Sequence, residues 1–419
     1  MADWEKSTLF RAFRHRNFRL FYMGQIVSLS GLWMQRVAMN WLVYRITGSP
    51  LLLGTVDFMT QIPVLFFGSF TGAFLEGRNL RRVIMICQTI SMLHALTLAA
   101  LTLTGAVEYW HILVLAAIVG TSDSFEVPAR QGFTIRLVED EHDLGNGIAL
   151  TSSLFNVTRL VGPSVAGMVI AVVGEGVCFL MNGMAYSATL TALFLMRFGK
   201  PLVTEKTRQS VLAGMKEGIR YAASFIPIRN YLAAIAMVSF FAFPYGVLLP
   251  VFARDILGGG PRTLGFLLGA SGLGALAGSV MLARRKSPVG LGKIMGLAAV
   301  SLGFTMAAFS LSRFLPLSIA LMACLGFFMV STLVSCNTLV QNLVEEDKRN
   351  RVMSLFIVCA MGITPIGSLN AGWIAGRLGA PAALFGGGVI TLMIGAALLR
   401  AWPAMWALSE PVYRAKKLL

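Results

Sequence analysis

Apolar runs of about twenty residues recur along this chain, and its charges are confined to short clusters between them. That pattern constrains the fold more than any motif does, because a helix of roughly twenty apolar residues is long enough to cross a bilayer. Composition agrees: of 419 residues 56% are hydrophobic and 13% are charged, against about 25% charged in a soluble domain. A formal charge of +16 could suit nucleic acid, but the lysines and arginines punctuate the apolar runs, so no nucleic-acid partner is expected. The chain reads as an all-α polytopic membrane protein in contact with membrane lipids.

Twelve spans are expected, near 19–45, 50–75, 82–104, 109–136, 145–171 and 175–197, then near 229–253, 263–283, 291–312, 315–343, 351–376 and 380–402. They imply an amphipathic N-terminal segment (1–18), a six-helix bundle (19–197), a linker (198–228), a second six-helix bundle (229–402) and a tail (403–419). One set of loops holds Arg11, Arg14, Arg16 and Arg19, then Arg78, Arg81 and Arg82, then Arg284, Arg285 and Lys286, and finally Arg414, Lys416 and Lys417. The other set holds Arg45, Arg254, Arg262, Arg313 and Arg377. The excess of positive charge places both termini in the cytoplasm.

The two halves echo each other. Leu137-Val138-Glu139-Asp140-Glu141 in the first corresponds to Leu343-Val344-Glu345-Glu346-Asp347 in the second, and each opens onto a span with proline and spaced small residues. Those are Gly162, Pro163 and Gly167 in one, and Pro365, Gly367 and Gly372 in the other. Leu53-Gly54 and Leu264-Gly265 likewise each begin a span that ends in a basic cluster. Repeats in the same order and orientation are how one large class of membrane transporters is built.

The N-terminus lacks a short apolar core followed by a small-residue cleavage site, so no cleaved signal peptide is expected. With Leu9, Phe10 and Phe13 opposite Arg11 and Arg14, it reads as an amphipathic lead-in along the membrane interface. Cys87, Cys178, Cys324, Cys336 and Cys359 all fall in apolar spans, where free cysteine packs as a small hydrophobe. Neither they nor the four histidines have metal-ligand spacing; His94 reads as a lone core residue. The stretch from Gly199, with Lys200, Lys206, Arg208, Lys216 and Arg220, contains Val211, Leu212, Met215 and Ile219 at helical spacing, which predicts a surface helix. No phosphate-cradling Gly-rich loop with Lys-Ser/Thr occurs, so ATP-driven transport by this chain is not expected, and no cofactor or metal is implied.

Several segments together carry a family resemblance: Gly31-Leu32-Trp33-Met34-Gln35 with Trp41-Leu42-Val43-Tyr44, Pro128-Ala129-Arg130-Gln131, Phe155-Asn156 with Arg159, Cys178-Phe179 with Asn182 and Tyr186, and Pro244-Tyr245-Gly246-Val247-Leu248-Leu249-Pro250-Val251-Phe252-Ala253-Arg254-Asp255. Over nearly its whole length the chain resembles the major facilitator superfamily, in the bacterial branch that includes the enterobactin exporter and macrolide efflux proteins. The resemblance implies two pseudo-symmetric six-helix bundles, a monomer, and a place in the inner membrane of a bacterium. The loop from Gly72 to Arg82 resembles the superfamily signature between spans two and three. The family has aspartate directly before the first arginine, Arg78; here Gly77 stands there with Glu76 before it, so either Glu76 takes over the pairing or the latch is weaker. Gly162-Pro163-Ser164-Val165-Ala166-Gly167 resembles the pattern of exchangers that export their substrate, and read physically is also a packing groove.

Ionisable residues inside a membrane are costly and usually functional. Five stand out: Arg36, Asp57, Asp123, Glu126 and Arg159. Asp123 lies thirteen residues before Arg136 and Arg159 thirteen after Asn146, so both sit about 20 Å along their helices and pairing between them is expected. Arg36 and Asp57 flank the turn between spans one and two and are expected to meet nearer the outer face. Glu126 shares a face with Asp123, and Arg130 follows one turn later. Two readings stay open. The charges are neutralised pairs that hold helix register, or Glu126 and Asp123, with Asp57 next, are proton sites whose affinity changes as the cavity opens to each side. The family commonly has aspartate at the Glu126 position and asparagine at that of Asp123.

By resemblance to the fold, a substrate pocket between the halves is lined by spans one, four, seven and ten. Residues there that suit a bulky, partly apolar ligand are Trp33, Gln35, Asn40, Phe125, Phe240, Phe243, Tyr245 and Phe328, with Asn337 and Gln341 as further polar contacts. The function this supports is proton-coupled export of an amphipathic small molecule, such as a siderophore or a drug, by alternating access. A lipid or lysophospholipid translocator of the same fold is the alternative. An intramembrane enzyme or receptor is a distant third, because no paired nucleophile and base appears.

Overall fold

The computed structural model of the chain describes residues 8–138, 140–198, 211–285 and 287–416. Glu139, Gly199, Lys200, Lys206, Arg208, Lys286 and Lys417 lie outside the described residues, as do the side chains of Leu9, Asn156, Val211, Leu212, Met215 and Lys216. The described residues are almost wholly helical, and they divide into two compact units. One comprises Met1–Thr47 and Met59–Arg208, the other Gly48–Phe58 and Gln209–Leu419.

The first unit holds α1 (Arg16–Thr47), most of α2 (Pro50–Leu75), α3 (Leu80–Leu103), α4 (Tyr109–Leu137), α5 (Glu141–Val173) and α6 (Glu175–Leu195). α1 packs on α5 and α6, and α3 on α4 and α6. The second holds α7 (Val211–Ser224), α8 (Ile226–Phe241), α9 (Tyr245–Val251), α10 (Pro261–Ala283), α11 (Leu291–Leu311), α12 (Leu315–Leu343), α13 (Arg349–Ile357), α14 (Thr364–Leu378) and α15 (Ala380–Ala415). There α8 packs on α14 and α15, and α11 on α12 and α15. The sequence repeat is thus a repeat of neighbours: in each unit the first span meets the fifth and sixth, and the third meets the fourth and sixth. Even the joint between fifth and sixth spans recurs. Gly174 (φ 82°) and Gly379 (φ 87°) each supply a left-handed turn that side chains disfavour.

Eleven helical segments among the described residues are long and apolar enough to cross a membrane. α1 is not one of them despite its 32 residues, because Arg16, Arg19, Gln25, Gln35, Arg36 and Arg45 lower its hydropathy. Two expected spans are not single helices. Span seven breaks at Ala242–Pro244 between α8 and α9 and ends in a π-helical turn at Phe252–Ile256. Span eleven is α13, a π-helical turn at Val358–Gly362, and α14, with Pro365 in its first turn. Proline has no N–H to continue a helix across these points. The segment expected as the tail continues the last helix: α15 stays helical from Ala380 to Ala415 through Pro403 and Pro411. Met405, Ser409 and Tyr413 recur one turn apart and are all buried, so packing holds that helix past its prolines.

α2 is shared between the units. At its start a side chain on Gly54 would come within 2.5 Å of the Ser368 carbonyl oxygen, and one on Gly372 within 2.6 Å of that of Pro50. This close crossing with α14 draws Gly48–Phe58, and Asp57 with it, into the second unit. Asp57, half-buried, therefore falls with the start of α2 in the second unit. It lies in a different unit from Arg36.

In each unit the segment before the first span grips the start of the helix that follows the duplicated acidic loop. A 3₁₀ turn at Thr8–Arg14 lies against α5: the Ala12 N–H donates to Asn146 Oδ1 at 3.0 Å, and Asp143 meets Arg11 at 3.7 Å and His15 at 3.3 Å. The lead-in thus docks on protein. α7 does the same to α13 and the loop before it. Its Glu217 pairs with Arg351, its Tyr221 hydroxyl accepts from the Glu345 N–H at 3.4 Å, and Lys348 Nζ lies 4.9 Å over the Tyr221 ring. Burial raises the Tyr221 phenol above its ordinary value, so it stays protonated. From the end of α15, Lys416 donates to the Asn342 and Val344 carbonyls, neutralising the C-terminal end of α12.

Candidate functional site

Polar side chains inside the first unit form a string across four helices, joined by contacts within two groups and by electrostatics between them. Each helix contributes a stripe at helical spacing: Gln25 and Gln35 on α1, Gln88, Ser91 and His94 on α3, Asp123, Glu126 and Arg130 on α4, and Asn182 and Tyr186 on α6. At its centre is Glu126, 6% exposed. Its Oε1 accepts from Gln88 Nε2 at 2.8 Å, and Arg130 Nη1 lies 3.8 Å away, one turn later. Arg130 also donates to Gln25 Oε1 at 3.3 Å. Asp123, half-buried, feels the charges of Glu126, Arg36 and Arg130.

The string continues through Tyr186, which interacts with Asn182 and Ser91 and lies in the field of both carboxylates. Asn182 Nδ2 donates to Gln35 Oε1 at 2.6 Å, and Gln35 Nε2 donates to His94 Nδ1 at 3.1 Å. That bond makes Nδ1 the acceptor and leaves the proton of a neutral ring on Nε2, which has no hydrogen-bond partner among the described residues. His94 is 3% exposed. It is a terminus of this string, not the lone core residue expected. Gln88, Asn182, Tyr186 and His94 were not singled out as site residues, although the spacing of Gln88, Ser91 and His94 on one face carried the signal.

The expected pairing of Asp123 with Arg159 is not formed. Arg159 lies 5.9 Å from the centre of the Trp33 ring, and Arg36 5.0 Å from it. Helix register put Arg159 and Asp123 at similar depth, but depth does not decide which way a side chain points. Trp33 itself is wedged on Gly162, where a Cβ would lie 2.6 Å from Trp33 Cβ, and its ring meets Phe155 edge-on at 5.6 Å. Pro163 follows within the continuous α5, as does Gly167.

In the loop between α2 and α3, Arg78 lies 3.5 Å over the Phe74 ring. No ion pair of Glu76 with Arg78 occurs among the described residues, and the Arg82 N–H is capped by Asn79. Gly72 lies in α2. Phe125 packs between Phe74 (4.9 Å) and Phe67 (6.0 Å), so this candidate contact sits in an aromatic cluster reaching Arg78. Gln35, another candidate contact, is buried in the polar string; Asn40 is half-buried on α1.

In the second unit, the Tyr245 hydroxyl shares a hydrogen bond with Ser271 Oγ at 2.8 Å. Phe240 packs on Phe241, Phe243 against the core cluster that includes Tyr231 and Ile235, and Phe328 on Phe327. Gln341 Nε2 donates to Asn337 Oδ1. These polar groups are satisfied locally, in contrast to the charged set of the first unit. No group of three or more His, Cys, Asp or Glu side chains among the described residues could hold a metal ion.

Two six-span units with repeated packing define a membrane transporter of the major facilitator type, not an enzyme. The chain belongs to the family described as transmembrane secretion effectors, which it matches over residues 7–410. It is similar to the multidrug efflux pump Tap of Mycolicibacterium fortuitum, with 26% identity over 86% of this chain and 89% of that protein. It is also similar to the staphyloferrin A transporter of Staphylococcus aureus (strain NCTC 8325 / PS 47), with 22% identity over 84% and 87%. In fold it resembles the peptide transporter POT, at a TM-score of 0.74 with 11% identity, covering 94% of this chain and 95% of that one.

Proposed function

We propose that this protein exports an amphipathic small molecule across the cytoplasmic membrane in exchange for protons, exposing its site to one side and then the other. The relatives support efflux of drug-like or siderophore-like compounds. The observation that carries the proton half is Glu126, an enclosed carboxylate hydrogen-bonded to Gln88 and beside Arg130, with Asp123 one turn before it. A charged carboxylate away from bulk water is tolerated only with such partners. Protonation of Glu126 would release Arg130 to its other partner, Gln25, and loosen the tie between α3 and α4. That charge change, transmitted through the packed helices, is the switch the reading requires.

The test is reconstitution in vesicles with an imposed pH gradient, screening siderophores, drugs and lysolipids for transport linked to proton movement. Glu126→Gln is expected to abolish gradient-driven transport while leaving substrate binding intact, and Asp123→Asn to lower it about tenfold or more. Undiminished coupled transport in both variants would refute the assignment. Movement of lysolipids alone would favour a lipid translocator.

A further inference from the structure

We propose that Trp33, Arg36 and Arg159 form a binding site for organic anions, taking a carboxylate attached to a planar or aromatic body; this rests on the exporter reading and specifies its substrate class. The three side chains come from the interiors of α1 and α5. Arg36 lies nine residues before Arg45, and Arg159 fourteen before Val173, each about 13 Å or more from its nearer helix end. Both guanidinium groups gather at one indole ring, at 5.0 and 5.9 Å from its centre. The ring is fixed from behind by Gly162 and from the side by Phe155. Its Nε1 is buried with no hydrogen-bond partner among the described residues.

The charge balance is what points to a ligand. Two other arginines of this unit's long helices have carboxylates at hand, Arg45 with Glu175 at 2.7 Å and Arg130 with Glu126 at 3.8 Å. Among the described residues, neither Arg36 nor Arg159 has a carboxylate within ion-pair distance. Asp123 acts on Arg36 through space without contact. Arg36 is exposed and Arg159 half-buried, so both guanidinium groups can reach a ligand, and two cations gathered at one aromatic face inside membrane helices are best explained by an anion that completes them. Guanidinium groups bind carboxylate through paired charge-assisted hydrogen bonds. The exposed part of the indole offers a stacking face. A bound anion would also draw Arg36 away from Asp123, one of whose compensating cations is then occupied. Substrate and proton sites would thereby share a charge.

The experiment uses the full-length protein in nanodiscs of neutral lipid and two matched fluorescent probes, coumarin-3-carboxylate and its uncharged carboxamide. The wild type is expected to bind the carboxylate about tenfold or more tighter than the amide. Arg36→Gln and Arg159→Gln should each erase most of that preference while leaving amide binding within about twofold. Arg36→Lys, which keeps the charge, should retain part of it, and guards against a glutamine variant that fails to fold. Trp33→Leu should weaken both probes together. Equal binding of the two probes by the wild type would overturn the proposal, as would an undiminished preference in both glutamine variants. Loss of carboxylate binding when phosphatidylglycerol is added would overturn it too, by making a lipid phosphate the natural occupant. The same binding in Glu126→Gln separates the two readings: preference kept with proton-driven transport intact removes the coupling assignment alone. Proton-driven export of uncharged compounds without anion preference removes this one alone.

Discussion

At the scale of single residues, polar side chains inside the first unit are placed by partners that come from distant parts of the chain. Gln35 is the clearest case: its amide accepts from Asn182 and donates to His94, 147 and 59 residues away. Replacing it by leucine leaves two buried polar groups without their partner, a penalty of about 1–2 kcal/mol. The expected outcome is a lower thermal midpoint for Gln35→Leu in detergent, partly restored by adding Asn182→Leu and unaffected by the substrate. A midpoint equal to that of the wild type would show that the string contributes nothing to stability. Charge, depth and spacing of Asp123, Glu126 and Arg159 were legible in the sequence. The direction each points was not, because rotamer and helix rotation are set by neighbours; Arg159 therefore turned out to face Trp33.

At the scale of elements, the duplicated acidic loops gain a physical role. The start of the helix after each is held by the segment that precedes its own unit's first span, with charges reversed: Arg11 and His15 meet Asp143 in one, Glu217 meets Arg351 in the other. Glu217→Lys should release α7, read as faster amide exchange over its residues. The swap Glu217→Lys with Arg351→Glu should restore protection, and no change in either would show that the Tyr221 contacts suffice. An exposed pair of this kind contributes at most about 1 kcal/mol, so the effect is local opening and not unfolding. The surface helix was predictable from its spacing. That it closes on the loop was not, since the contact joins segments more than a hundred residues apart.

At the scale of the whole molecule, the spacing of basic loops makes a prediction about orientation. In a cysteine-free background, Ala106→Cys should react with a membrane-impermeant maleimide in intact cells, and Ser287→Cys only after permeabilisation. The reverse pattern would invert the topology and, with it, the assignment of which side supplies protons. The reading of twelve spans survives with two of them interrupted and one less apolar than the rest. These departures fall at proline-containing segments and at polar α1, where local sequence already signalled a conflict between spanning and function.

By itself the sequence determined the solvent, the number of spans and the internal repeat, because these follow from hydropathy and order along the chain. Only the tertiary structure decided which buried groups meet. It moved Asp57 with the start of α2 into the second unit, joined His94 to the Glu126 string, and set Arg36 and Arg159 at one tryptophan. The physical reason is that bilayer insertion depends on summed transfer energies of each segment, whereas pairing depends on the rotation and close approach of helices, which small residues such as Gly54 and Gly162 permit and no single segment encodes.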